Sequence, residues 1–361
     1  MNHTHHCMLD RCHDSPLARR LLNDWQHHFP LLPEPFTLLA AQLGCSAGTV
    51  VNCLQCLQEN GAISRIGPVF PPGCIGVSTL AALAVPAARL EQVAAAISAL
   101  PQVNHNYQRE HAYNLWFVAS ARKAGELDTL LQRIAAAYAT PEQPLLNLPL
   151  QAEFHIDLGF ALSGPETAAS ASATAGETAA RCPRPRTAGR LEGPLEPSAR
   201  EWAFLDLLQQ GLPFVHRPFA ALGRQAGMQE AEVLATLRQW CDEGFIKRFG
   251  VIVRHQELGY HANAMVVFDL PETAVAKTGA LLAQEAGVTL CYQRRRQLPH
   301  WPYNLYCMVH GHSRETVAPV LQRLNRIAGQ PGLPLFSLRR FKQCGARYAP
   351  LREPVAADRP D

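Results

Sequence analysis

The chain has 361 residues, 47% of them hydrophobic, and its 33 Lys plus Arg against 30 Asp plus Glu leave a formal charge of only +3. That length provides roughly two to four compact domains with real cores, and the near-neutral balance excludes a surface built for bulk nucleic acid or anionic membrane. The 11 cysteines are scattered, which fits reduced thiols in a cytoplasmic protein better than a disulfide framework. Residues 1–15 read as a disordered tail without the apolar stretch of a signal peptide, and no later run reaches membrane-spanning length. Residues 16–61 predict three short helices, followed by an extended run at Arg65-Ile66-Gly67-Pro68-Val69-Phe70. Then come a strand (78–85), a helix (90–100), strands at 103–108 and 114–119, a helix (126–137) and a strand (150–157). Residues 162–197 are Ala, Ser, Thr, Gly and Pro with almost no large apolar residue, so they cannot offset their ordering entropy and read as a flexible linker.

The chain then repeats itself. Helices are predicted at 198–210, 218–226 and 229–243, with Ser198 as a cap and Gly211 and Gly227 as stops. An extended run at 248–253 follows, then strand 262–268, helix 273–285, strands 288–293 and 305–309, helix 314–327 and strand 335–341. Pro35, Gly61, Arg65 and Gly67 return as Pro218, Gly244, Arg248 and Gly250, each 183 residues on. A repeat of this length is two fused copies of one protomer, so a site that would sit on a dimer can become asymmetric within one chain. The expected fold class is α+β: a tandem duplication of a winged helix-turn-helix domain followed by a ferredoxin-like βαββαβ domain. The boundaries expected are 16–70 and 71–161 for the first copy, 198–254 and 255–350 for the second, and 351–361 as a tail. The two halves are expected to pair as an intrachain pseudo-dimer, with further self-association left open.

This order resembles the Lrp/AsnC family of regulators, but the helices that would read DNA are wrong for it. Residues 46–59 contain no Lys or Arg, and 229–243 set Arg238 against Glu230, Glu232, Asp242 and Glu243. A helix must bring cations to displace the counterions of phosphate, so no DNA binding is expected. Two Cys/His groupings, Cys53/Cys56 and the His5, His6, Cys7, Cys12, His13 crowd, lack the four converging ligands of a zinc site. The first reads as helix-core cysteines, the second as part of the tail.

Polar density rises between the second and third strands of each βαββαβ unit. The first copy carries Tyr107-Gln108-Arg109-Glu110-His111-Ala112-Tyr113-Asn114-Leu115-Trp116, and the second runs from Tyr292 through Arg294-Arg295-Arg296 and His300-Trp301-Pro302-Tyr303-Asn304 to His310. The offset grows from 185 at Tyr107/Tyr292 to 190 at Tyr113/Tyr303, so the second loop is longer, and Trp301 falls opposite His111. Taken alone, Arg294-Arg295-Arg296 reads as a solvated strand end, and His111 as a surface histidine. Appearing twice, the mixture suits a flat, carboxylate-rich aromatic ligand: rings stack, guanidinium forks grip carboxylates and imidazole supplies protons or an iron ligand.

These hairpins, with Ile63-Ser64-Arg65-Ile66-Gly67 and Ile246-Lys247-Arg248-Phe249-Gly250, resemble the siroheme decarboxylase family in the fused two-half form of the heme d1 pathway. The resemblance covers both halves but not the linker or the first fifteen residues. It implies removal of two acetate carboxylates from siroheme as carbon dioxide, giving 12,18-didecarboxysiroheme. No cofactor is implied, because the iron arrives with the substrate. The partners implied are siroheme and other heme d1 biosynthesis proteins. The candidate catalytic residues are His111, His310, His300, Tyr113 and Tyr303, with a histidine also available as an axial ligand to the substrate iron; the candidate substrate-binding residues are Arg65, Arg109, Arg248, Arg294, Arg295, Arg296, Trp116 and Trp301. An acetate on a ring loses carbon dioxide only when the ring accepts the electrons, and a near-neutral acid such as histidine helps by protonation. The alternatives are an Lrp/AsnC-like ligand-responsive regulator and a tetrapyrrole carrier without chemistry.

Overall fold

The computed structural model describes residues 15–71, 73–156, 197–254, 262–346 and 348. The expected linker up to residue 196, the C-terminal tail and the N-terminal Cys/His crowd lie outside these residues. The described chain mixes helix and strand and divides into two compact units, one holding residues up to Ile75 and from Asp157 to His261, the other the remainder. No single described helix is long and apolar enough to cross a membrane.

The first unit contains α1 (Pro16–Asp24), α2 (Pro35–Leu43), α3 (Ala47–Glu59) and β1 (Ile63–Val69), then α6 (Ala199–Leu208), α7 (Pro218–Ala226), α8 (Glu230–Asp242) and β6 (Arg248–Val253). Local chemistry sets these helix starts. Ser15 and Ser46 accept from the N–H groups of Ala18 and Thr49, and Ser198 forms a capping box with Glu201. Gly61 and Gly244 turn the chain out of α3 and α8 at φ 77° and 78°, which glycine adopts without a Cβ clash. The two copies join through β1 and β6, which pair antiparallel with Gly67 opposite Gly250. A Cβ on Gly250 would meet the Gln26 carbonyl oxygen at 2.2 Å, so the repeated glycine is a close-approach position. Arg238, the one cation of α8, donates to the Leu31 carbonyl at 2.7 Å. The guanidinium is thereby engaged by the fold of its own unit.

The second unit contains β2 (Val77–Leu83), α4 (Leu90–Ala99), β3 (Val103–Arg109), β4 (Leu115–Ala121), α5 (Ala124–Tyr138) and β5 (Leu146–Ile156) from the first half. The second half adds β7 (Ala262–Phe268), α9 (Glu272–Leu282), β8 (Val288–Arg294), β9 (Leu305–Gly311), α10 (Arg314–Ala328) and β10 (Leu333–Gln343). All eight strands close into one barrel in the order β10-β3-β4-β2-β5-β8-β9-β7. The last strand of each half is longer than sequence periodicity suggests, because each serves both halves. In β5, residues 146–149 pair with β2 of the same half, and residues 150–156 pair with β8 of the other. In β10, residues 333–336 pair with β7 and residues 337–343 with β3. Alternate strand residues therefore face two cores. Outward residues such as Phe117 and Cys307 pack under the helices of their own half. Inward residues, among them Trp116, Tyr292, Trp301, Tyr306 and Leu335, form one aromatic-rich cluster shared by both halves.

Candidate functional site

The two hairpins of the barrel stand on the same frame. Asn114 clips its hairpin to the end of β2: its amide donates to the Val85 carbonyl at 2.9 Å, and its side-chain oxygen accepts from the Val85 N–H at 2.9 Å. Asn304 does the same to Leu270, at 2.9 and 3.0 Å. The N–H groups of Arg109 and Arg294 then close each hairpin by donating to the Asn114 and Asn304 carbonyls. The repeated asparagine is thus the joint on which each hairpin turns.

The pairing extends to the arginines. Arg109 donates to the Leu335 carbonyl at 2.9 Å and Arg294 to the Leu148 carbonyl at 2.7 Å, each reaching the last strand of the opposite half. Arg109 also lies over the Tyr107 ring, and Arg294 over that of Tyr292. Arg109 is only 6% exposed, and burial pushes its pKa down to about 10, which leaves it charged at neutral pH. Neither guanidinium is ion-paired to a carboxylate among the described residues, and the buried Nε of Arg294 has no hydrogen-bond acceptor there.

The remaining arginines differ. Arg296 is held by Asp269 at 2.6 Å, by Glu272 and by the Leu270 and Pro302 carbonyls. These partners meet its charge, which sets it apart from Arg109 and Arg294. Arg248 is 6% exposed and donates to the Gln26 carbonyl. It ties β6 to the residues that follow α1. Arg65 is half-buried on β1 and reaches the Pro68 carbonyl at 3.3 Å. Both belong to the first unit, whereas every other candidate belongs to the second. Arg295 is exposed.

The aromatic and imidazole candidates separate as well. His111 is half-buried in the first hairpin, where its Nδ1 accepts from the Tyr113 N–H at 3.0 Å. That bond leaves the ring proton on Nε2. Desolvation lowers the His111 pKa below 6.5, since burial disfavours the imidazolium. Tyr113 stacks on the His111 ring at 6.3 Å, and Trp301 of the second hairpin meets it edge-on at 5.4 Å. Trp301 also packs against Trp116 at 5.1 Å and Tyr303 at 4.9 Å. The Tyr113 hydroxyl is buried without a hydrogen-bond partner among the described residues, and burial raises its pKa.

Two expected imidazoles do not join this group. His300 is exposed on the second loop. His310 sits at the far end of β9, with Nδ1 2.9 Å from the Thr289 hydroxyl; five residues of strand put it roughly 17 Å from the hairpin end. Cys53 and Cys56 are half-buried on α3, and among the described residues no His, Cys, Asp and Glu group could hold a metal ion. Two hollows, of about 390 and 400 Å³, lie elsewhere, one beside Leu131, Ala135 and Pro141, the other at Gly223 and Met228. Sequence reasoning missed Gln297, whose side chain bonds to Leu145 and Asn147 of the other half. The only signal was the extra length of the loop that carries it.

Comparison with known proteins adds an independent line. An AsnC-like ligand binding domain matches residues 75–155 and 257–342, and a siroheme decarboxylase NirDL-like HTH domain matches residues 18–63 and 201–247. The siroheme decarboxylase NirDL subunit of Paracoccus denitrificans (strain Pd 1222) is 41% identical over 339 residues, which are 92% of this chain and 97% of the relative. That of Paracoccus pantotrophus is 43% identical over 337 residues, with the same coverage of 92% and 97%. The crystal structure of the siroheme decarboxylase NirDL in co-complex with an iron-uroporphyrin III analogue superimposes with a TM-score of 0.62 at 26% identity, covering 90% of this chain and 92% of that one.

Proposed function

The chain belongs to the siroheme decarboxylase family, and from that premise we propose that it removes two acetate carboxylates from siroheme as carbon dioxide in heme d1 formation. The observation that carries the reading is the pair Arg109, which is buried, and Arg294, which is half-buried. A buried guanidinium without a carboxylate costs several kcal/mol, and such a cost is offset when a ligand supplies the anion. A carboxylate-rich macrocycle does so, with the hairpin aromatics beside it. The fold comprises paired winged helix-turn-helix copies and paired ferredoxin-like halves, a scaffold kept while its DNA-reading helices became packing elements.

The chemistry needs an electron sink and a proton. The macrocycle takes up the electron pair of the breaking carbon–carbon bond, carbon dioxide leaves, and a proton delivered to the former acetate carbon completes a methyl group. His111 is the acid in this reading. Free of substrate it is held toward the neutral form by burial. Bound carboxylates favour its imidazolium, whose second proton takes the place of the Tyr113 N–H contact at Nδ1, so the substrate arms its own proton donor. Tyr113, with its unpartnered hydroxyl, is placed to hydrogen-bond the reacting group, and Trp116 and Trp301 wall the site. The iron belongs to the substrate, and no further cofactor enters the scheme. Other heme d1 biosynthesis proteins are partners in this reading, as suppliers of siroheme and acceptors of the product.

Anaerobic incubation with siroheme followed by mass analysis tests this. Two successive losses of carbon dioxide are expected; siroheme recovered unchanged while still bound would make the chain a carrier instead.

A further inference from the structure

The extra residues of the second hairpin form a closed segment. Gln297 donates its N–H to the Trp301 carbonyl at 2.9 Å, and Trp301 returns its own N–H to the Gln297 carbonyl at 2.8 Å. The Gln297 side chain then crosses to the first half: Nε2 donates to the Leu145 carbonyl at 3.0 Å, and Oε1 accepts from the Asn147 N–H at 2.7 Å. The opposite end of the segment is fixed by the Trp301 indole N–H, which donates to the Tyr306 hydroxyl at 2.7 Å. Trp301 is consequently 1% exposed and held from both halves.

What the segment holds in place is an aromatic edge against His111. The two ring planes meet at 89° with centroids 5.4 Å apart, while Tyr113 closes the stacked side at 6.3 Å. Titratable groups near the ring include Tyr113, Arg109 and Glu110 on its own hairpin, with Arg314 of α10 paired to Glu110 at 2.9 Å; the facing element presents Trp301 and, behind it, Tyr303. Trp301 occupies in the second hairpin the register of His111 in the first. An imidazole that must deliver a proton gains most from a fixed ring plane and the exclusion of competing water.

We propose that Gln297 and Trp301 form a positioning brace, built by the second half, that fixes the His111 ring for proton transfer in the first, making the first half the reacting one. The inference deepens the decarboxylase reading and rests on it. It goes further by giving the two halves unequal tasks: the second surrenders its own acid to support its partner's.

Gln297→Ala and Trp301→Phe in the full chain test the brace, one removing the tie across the halves and the other the indole N–H. Each is expected to lower kcat about tenfold and to leave KM within about twofold. In substrate-free protein, the NMR titration midpoint of His111 is expected to move back up toward 6.5 as water reaches the ring. A kcat and midpoint equal to wild type would overturn the proposal, even if melting temperature falls, because that pattern marks a purely structural contact. A raised KM with unchanged kcat would overturn it too. The ring titration needs no substrate. A wild type that releases no carbon dioxide while both variants still move the midpoint would refute the decarboxylase reading and the proton-transfer role with it, leaving only the contact of Trp301 with the ring.

Discussion

In the first hairpin the residue between Glu110 and Ala112 is a histidine; in the same register of the second stands Trp301, and the two rings touch. Around them the frames agree closely: an asparagine clip, an arginine turned to the opposite half's carbonyl, and an aromatic side chain bonding back to the hairpin tyrosine's carbonyl. The repeat keeps the frame and changes the residue at its centre. Because both copies face one shared core, a change in one is felt by the other, and a site can be divided into a reacting half and a supporting half.

The sharpest way to break that comparison is at the imidazoles. His111→Ala is expected to lower kcat by about 10²–10⁴-fold with siroheme binding retained, whereas His310→Ala stays near wild type. Anaerobic turnover beside a binding titration checks both. Equal losses would restore His310 to the site.

The pH dependence follows from the same ring. Desolvation disfavours the His111 imidazolium and places its pKa below 6.5 in the free protein, and the reaction uses the protonated form. The kcat/KM profile should therefore fall as pH rises through a midpoint below 6.5, and His111→Ala should remove that limb. A profile flat across this range would count against His111 as the acid.

Smaller effects test the common frame. Asn114→Ala and Asn304→Ala each remove a paired clip and leave a backbone N–H unsatisfied, so each should cost about 1–3 kcal/mol in denaturant unfolding. Asn304 also reaches Glu272 at 3.1 Å, and its loss should be the larger. At the helices, no salt-dependent retardation of DNA is expected. Arg238→Ala should leave that result unchanged, since its guanidinium already serves Leu31.

Much of this was legible in the sequence because the chain states it twice. The recurrence of Gly67 as Gly250 and of Asn114 as Asn304 marked positions where backbone geometry leaves little choice. The lengths of β5 and β10 were hidden, since a strand that changes partner midway shows no break in its alternation. Arginine roles were hidden for another reason. Arg294 and Arg296 are two residues apart, yet one faces a carbonyl in the barrel and the other two carboxylates on α9 and the loop before it. Only the folded arrangement of acceptors separates a spent charge from an available one. His310 lies apart because its motif neighbours sit in a hairpin while it continues along the strand.

The reading depends most on the uncompensated charge at Arg109, and Arg109→Met addresses it directly. Removing a buried guanidinium for an apolar chain of similar length should raise the stability of the ligand-free protein by about 1 kcal/mol or more while abolishing the rise in melting temperature expected for the wild type with siroheme. A variant that loses stability without ligand, and is still stabilised by siroheme to the same extent as wild type, would contradict the account.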